Sequence, residues 1–106
     1  MLTEFTTSAL AGYLVISGIL LVIGLIGFFV RRNLIIMFLC TELIFIGAAI
    51  AFVAVGRYLF DYSGQVMVIF ILTVAAAEAA LALALVVLLH RQRDTLDADV
   101  YAELRE

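Results

Sequence analysis

Three long apolar runs, at about 10–30, 34–55 and 65–89, leave this chain few ways to fold. Each has roughly the 20 residues that a helix rising about 1.5 Å per residue needs to cross about 30 Å of hydrocarbon. Lipid offers the backbone no water to bond, so each N–H and C=O must be satisfied within a helix or a closed barrel. Runs without a two-residue period in so short a chain cannot close a barrel, and open sheet edges are not tolerated in lipid. An all-α integral membrane protein of three transmembrane helices is the reading left, and the absence of proline suits continuous helices. The 67% apolar and 14% charged residues are far from the balance of a soluble domain, about half apolar and a quarter charged. No separate soluble catalytic domain, nucleotide-binding loop or nucleic-acid-binding face fits in what remains. Residues 1–106 therefore read as one membrane domain whose first partner is the lipid bilayer, with a tail at 90–106. The opening MLTEFTTSAL lacks a basic region and a small-residue cleavage site, so the first run is expected to be retained rather than removed as a signal peptide.

The connections set an expected direction. Arg31, Arg32 and Asn33 form the first turn, RYLFDYSG the second connection, and HRQRD begins the tail. Three crossings put Arg31 and Arg32 on the same side as Arg91 and Arg93, whereas the other side carries Glu4 and the balanced pair Arg57 and Asp61. The positive-inside rule then places the N-terminus outside and the C-terminal tail in the cytoplasm, with Tyr13, Tyr58 and Tyr62 at the outer interface. The net charge of −3 is no guide to partners, because Asp94, Asp97, Asp99, Glu103 and Glu106 gather in the tail, which reads as solvated. The single Cys40 lies in an apolar run and reads as a small buried hydrophobe. Ser17, Gly24 and Gly27 share roughly one face of the first helix, where a neighbour can approach closely.

Glu42 and Glu78 are the only carboxylates well inside the runs. By helical rise they sit about 12 Å and about 16 Å from the cytoplasmic ends of their helices, so both are at mid-membrane depth. A carboxylate at the centre of a span opposes insertion by about 2.5–3.5 kcal/mol, which a dozen Leu, Ile, Val and Phe at about 0.3–0.6 each offset. Insertion thus tolerates the pair without explaining it. Hydrocarbon disfavours the anionic form of a carboxyl group, and proton relays in membranes use that property. The same residues can also act as hydrogen-bonding anchors that fasten the subunit to another one. Ala75, Ala82 and Val74 share the face of Glu78 and leave room for a partner helix, whereas Phe38, Leu39, Phe45 and Ile46 surround Glu42 more bulkily. Thr41 and Thr73 are expected to bond back to their own helices, and His90 reads as an interfacial anchor. No His, Cys and carboxylate cluster has metal-ligand spacing, and no nucleophile has a base beside it. So thin a three-helix protein cannot enclose two carboxylates alone, so larger partners are expected.

The segments RRNLIIMFLCTEL, SGQVMVIFILTVAAAEAALALALVVLLHR and DADVYAELRE together resemble the K subunit family of bacterial respiratory complex I, the proton-pumping NADH:quinone oxidoreductase, from about Gly12 to the end. The resemblance implies a non-redox subunit in the bacterial inner membrane, beside other membrane subunits that include antiporter-like ones. It implies no cofactor on this chain, with NADH, FMN, iron–sulfur clusters and quinone handled by other subunits. It maps the family's two intramembrane glutamates onto Glu42 and Glu78 as a proton relay and its loop arginines onto Arg31 and Arg32, which serve equally as topology determinants. Two positions depart from the family pattern: Ile46 stands where many relatives have asparagine, and Ala82 where they tend to have glycine. A related membrane-bound oxidoreductase with another electron donor, a small subunit of a multisubunit cation/proton antiporter, and a purely structural assembly subunit stay open as alternatives. A small multidrug transporter fits less well, since that class resembles a four-span protein with a glutamate in its first span.

Overall fold

The computed structural model describes residues 7–93 and 97–102. Three of its helices, α1 (Thr7–Val30), α2 (Leu34–Tyr58) and α3 (Ser63–Arg93), are long and apolar enough to cross a membrane. A short α4 (Ala98–Ala102) follows. The helices overrun the apolar runs, since a helix closes its own backbone bonds and does not stop where the hydrocarbon does. The second connection shrinks accordingly, because Arg57 and Tyr58 belong to α2 and Ser63 and Gly64 to α3.

Both turns are built by short polar contacts. Asn33 caps α2, its side-chain oxygen accepting the N–H groups of Ile35 at 2.9 Å and Ile36 at 3.4 Å. At the far end of α2, Phe60 N–H donates to the Arg57 carbonyl and Asp61 N–H to the Gly56 carbonyl, the paired bonds of a Schellman motif. Its left-handed position, usually glycine, is Phe60 with φ 54°. Asp61 then receives the N–H of Ser63 at 3.0 Å and its hydroxyl at 2.9 Å, at the start of α3. These bonds, the N–H first, hold the Asp61 carboxyl below its ordinary value of 3.8.

α2 is the centre of the molecule: it packs on both α1 and α3, which barely meet each other. Apolar side chains gain no hydrophobic energy by leaving lipid for another helix, so close contact depends on small residues. Ser17 and Gly24 of α1 and Cys40, Gly47 and Ala54 of α2 are buried at seven-residue spacing, the repeat that keeps one seam facing a neighbour. A Cβ on Gly24 would lie 2.9 Å from the Cys40 carbonyl oxygen, and one on Gly27 would meet the Cys40 sulfur. Where Gly47 meets α1, the Ser17 hydroxyl donates to the Gly47 carbonyl at 2.6 Å. Cys40 is thus the small buried residue its setting suggested, and the Ser17, Gly24 and Gly27 face is the one α2 occupies. The second crossing is glycine-lined too: a Cβ on Gly56 would sit 3.2 Å from the Gly64 Cα.

Two outcomes follow. A Gly47→Ala substitution, whose Cβ would stand 3.0 Å from both the Ser17 carbonyl and the Leu21 side chain, lowers stability by about 1–3 kcal/mol, read from the unfolding midpoint in mixed micelles. Gly12→Ala, with open space around it, is the neutral control. Because the Asp61 pKa is lowered on folding, its stabilisation is complete above the unfolded value and lost as pH falls through the folded one. Exchange protection of the Ser63 amide therefore falls only at pH below about 3.8, and Asp61→Asn removes that acid limb.

Candidate functional site

Glu42 and Glu78 line one groove between α2 and α3, of about 230 Å³. The small side chains of α3 create it: Ala75 and Ala82 are buried, which lets α2 approach α3 closely. Phe38 and Leu39 of α2 supply the opposite wall. The alanine face of α3 that seemed free for an outside partner is therefore taken by the chain's own α2, and Val74 points away, 56% exposed. Ile46 is exposed and off the groove, whereas Ala82 is one of its lining residues.

The two carboxylates are half-buried. Among the described residues neither meets a hydrogen-bond donor or a cation. Thr41, the other polar side chain in the groove, donates to the Phe38 carbonyl at 2.7 Å, so its hydroxyl hydrogen is committed to its own helix. Thr73 does the same to Ile69 at 2.8 Å. The walls are otherwise apolar, and the groove is partly open.

Arg31 and Arg32 lie elsewhere. They precede the first turn of α2, about 12 Å or more along the helix axis from Glu42, so the structure does not bring loop arginines and carboxylates together. Arg31 is exposed. Arg32 forms an ion pair with Asp99, the two side chains 70% and 59% exposed. Part of the tail read as solvated is thus folded onto the first turn, because an antiparallel bridge pairs Asn33 with Asp97. The remaining tail acids, Asp94, Glu103 and Glu106, and Glu4 at the other end lie outside the described residues. Asp99 is the residue that sequence reasoning passed over. Its only signal was an acid-rich tail expected on the same side as two arginines.

Over residues 12–106 the chain matches the family described as NADH-ubiquinone/plastoquinone oxidoreductase chain 4L. It is 52% identical over 93 residues to the NADH-quinone oxidoreductase subunit K of Persephonella marina, covering 88% of this chain and 93% of that one. The subunit K of Nitrosospira multiformis is 48% identical over 92 residues, 87% of this chain and 90% of its own. That of Sulfurihydrogenibium sp. is 46% identical over 93 residues, 88% and 93% of the two chains.

The shared groove has a direct consequence. In a Cys40→Ala background, Glu42→Cys and Glu78→Cys are joined by a short bifunctional thiol reagent, seen as a change in gel mobility. Glu42→Cys with Leu72→Cys, on the exposed side of α3, is not joined.

Proposed function

Because the chain belongs to the NADH-ubiquinone/plastoquinone oxidoreductase chain 4L family, we propose that Glu42 and Glu78 form one station on the proton path of the NADH-quinone oxidoreductase of which it is a membrane subunit. The observation that carries the reading is that the two carboxylates within the membrane-crossing helices line a single groove. A relay needs sites that can hold a proton, that feel one another's charge, and that lie near the middle of the bilayer. Their shared apolar groove supports the second condition, and their positions along α2 and α3 support the third.

The protein's own contribution is positional. The Asn33 cap fixes where α2 begins, the Gly56 and Gly64 crossing brings α2 and α3 together, and the buried alanines of α3 keep the groove narrow. The open side of the groove is where another membrane subunit, of the antiporter-like kind, supplies the next polar group. Oxidation of NADH and reduction of quinone, with FMN, iron–sulfur clusters and quinone, belong to other subunits. The N-terminus faces outward and the Arg31–Asn33 turn and tail face the cytoplasm of a bacterial inner membrane, as the arginine distribution favours.

Glutamine keeps the shape of glutamate and removes its titration, so Glu42→Gln and Glu78→Gln test the proposal one at a time. In assembled complexes each lowers protons pumped per electron transferred from NADH to quinone severalfold. Assembly with unchanged pumping in both variants sinks the relay. Loss of assembly in both favours the anchoring role.

A further inference from the structure

A second groove, of about 530 Å³, lies on the flank of α1 and α2 and shares no lining residue with the carboxylate groove. α2 lines it with Ala49, Ile50, Val53, Ala54 and Arg57, and α1 with Tyr13. The α2 residues recur at helical spacing, so they share one face over about 12 Å of the helix axis. Two contacts between α1 and α2 bracket this stretch. The Ser17 hydroxyl donates to the Gly47 carbonyl just beyond the Ala49 end, and the Thr7 and Tyr58 hydroxyls stand 3.4 Å apart just beyond the Arg57 end. The two helices are thus held together on either side of the groove.

One end of the groove is charged and the rest is apolar. Arg57 stands in the last turn of α2, where a membrane-crossing helix ends, and its side chain is exposed. Among the described residues it forms no ion pair. Asp61, four positions on, gives its carboxylate to the N–H and hydroxyl of Ser63 instead. An arginine at the end of a span carries its guanidinium towards the lipid–water interface, where its planar donors match the oxygens of a phosphate. Towards the middle of the membrane, Val53, Ile50 and Ala49 offer only hydrocarbon. The ligand that suits both ends has an anion at the interface and an apolar chain running parallel to the helices.

We propose that the Tyr13–Arg57 groove seats one anionic glycerophospholipid, its phosphate on the Arg57 guanidinium and part of an acyl chain along Val53, Ile50 and Ala49. A helix of a neighbouring subunit would cover the apolar wall, but it would leave Arg57 unpaired unless it carried an acid at the same depth. An anionic lipid brings the charge and the chain in one molecule, and the bilayer already places its phosphate at the interface. Basic pockets between membrane helices hold lipid head groups in the same way. The seat is independent of the relay.

The test uses the purified, assembled complex, incubated with phosphatidylglycerol that carries a photoactivatable diazirine on one acyl chain, with the cross-linked residues mapped by peptide mass spectrometry. In the parent, label enters residues 49–54 and Tyr13. Phosphatidylcholine with the same chain labels them at about a fifth of that yield, the difference one basic side chain makes to an anionic lipid. Arg57→Gln lowers the phosphatidylglycerol yield about fivefold, to that of phosphatidylcholine, and Arg57→Lys keeps most of it. A yield that does not distinguish the two lipids, or that Arg57→Gln leaves unchanged, overturns the seat. So does a parent complex without label at these positions, the outcome expected if another subunit covers the groove. Where Arg57→Gln does not assemble, Ala49→Leu decides, since it fills the apolar end and leaves Arg57 in place. It lowers the phosphatidylglycerol yield at the groove relative to label on the other subunits, and an unchanged ratio overturns the seat.

Discussion

Close approach of α2 to its two neighbours is the constraint on which the rest of this structure depends. Within lipid, a leucine on a helix surface is as well solvated by acyl chains as by another leucine, so association rests on backbone proximity and a few polar bonds. The chain meets this with Ser17, Gly24 and Gly27 against Cys40 and Gly47 on one side of α2, and with Gly56 and Gly64 on the other. A buried polar bond across the first seam, from Ser17 to the Gly47 carbonyl, sits where the glycine exposes that carbonyl. Elsewhere the helices present large apolar side chains outward, as a membrane subunit flanked by lipid and other subunits requires.

The carboxylate groove is a product of this arrangement. α2 is shared between two neighbours, and the face left to α3 carries Glu42 together with bulky Phe38 and Leu39. α3 answers with alanines at Ala75 and Ala82, so the helices pack closely beside the groove that Glu42 and Glu78 line. Because α1 and α3 barely meet, the groove is not sealed within the chain.

Each crossing helix shows a different balance of local and tertiary control. The bounds of α1 and α2 at Val30 and Leu34 are local, since Arg31, Arg32 and the capping Asn33 end one apolar run and begin the next. The turn between α2 and α3 was less legible. Arg57 and Tyr58 look like loop residues by polarity, yet the Schellman bonds through Phe60 and Asp61 keep them helical. A phenylalanine in the left-handed position hides the glycine signal that ordinarily marks such an end. At the tail, charge alone suggested solvent, because nothing in a linear pattern pairs Arg32 with Asp99, 67 positions apart.

Length, apolar continuity and the lack of proline determined three crossing helices by themselves, because lipid leaves a backbone no other way to satisfy its hydrogen bonds. The two mid-span carboxylates and the small-residue face of α1 were likewise readable from the chain, since helical rise and period convert spacing into depth and side. What only the tertiary structure decided is who faces whom. It made α2 the shared partner, gave the Ala75 and Ala82 face to α2, put Glu42 and Glu78 in one groove, and folded Asp97–Asp99 onto the first turn. Helices with apolar side chains on every side carry almost no amphipathic signal, so their mutual rotation is set by where backbones can touch, and that is a property of pairs rather than of any one sequence segment.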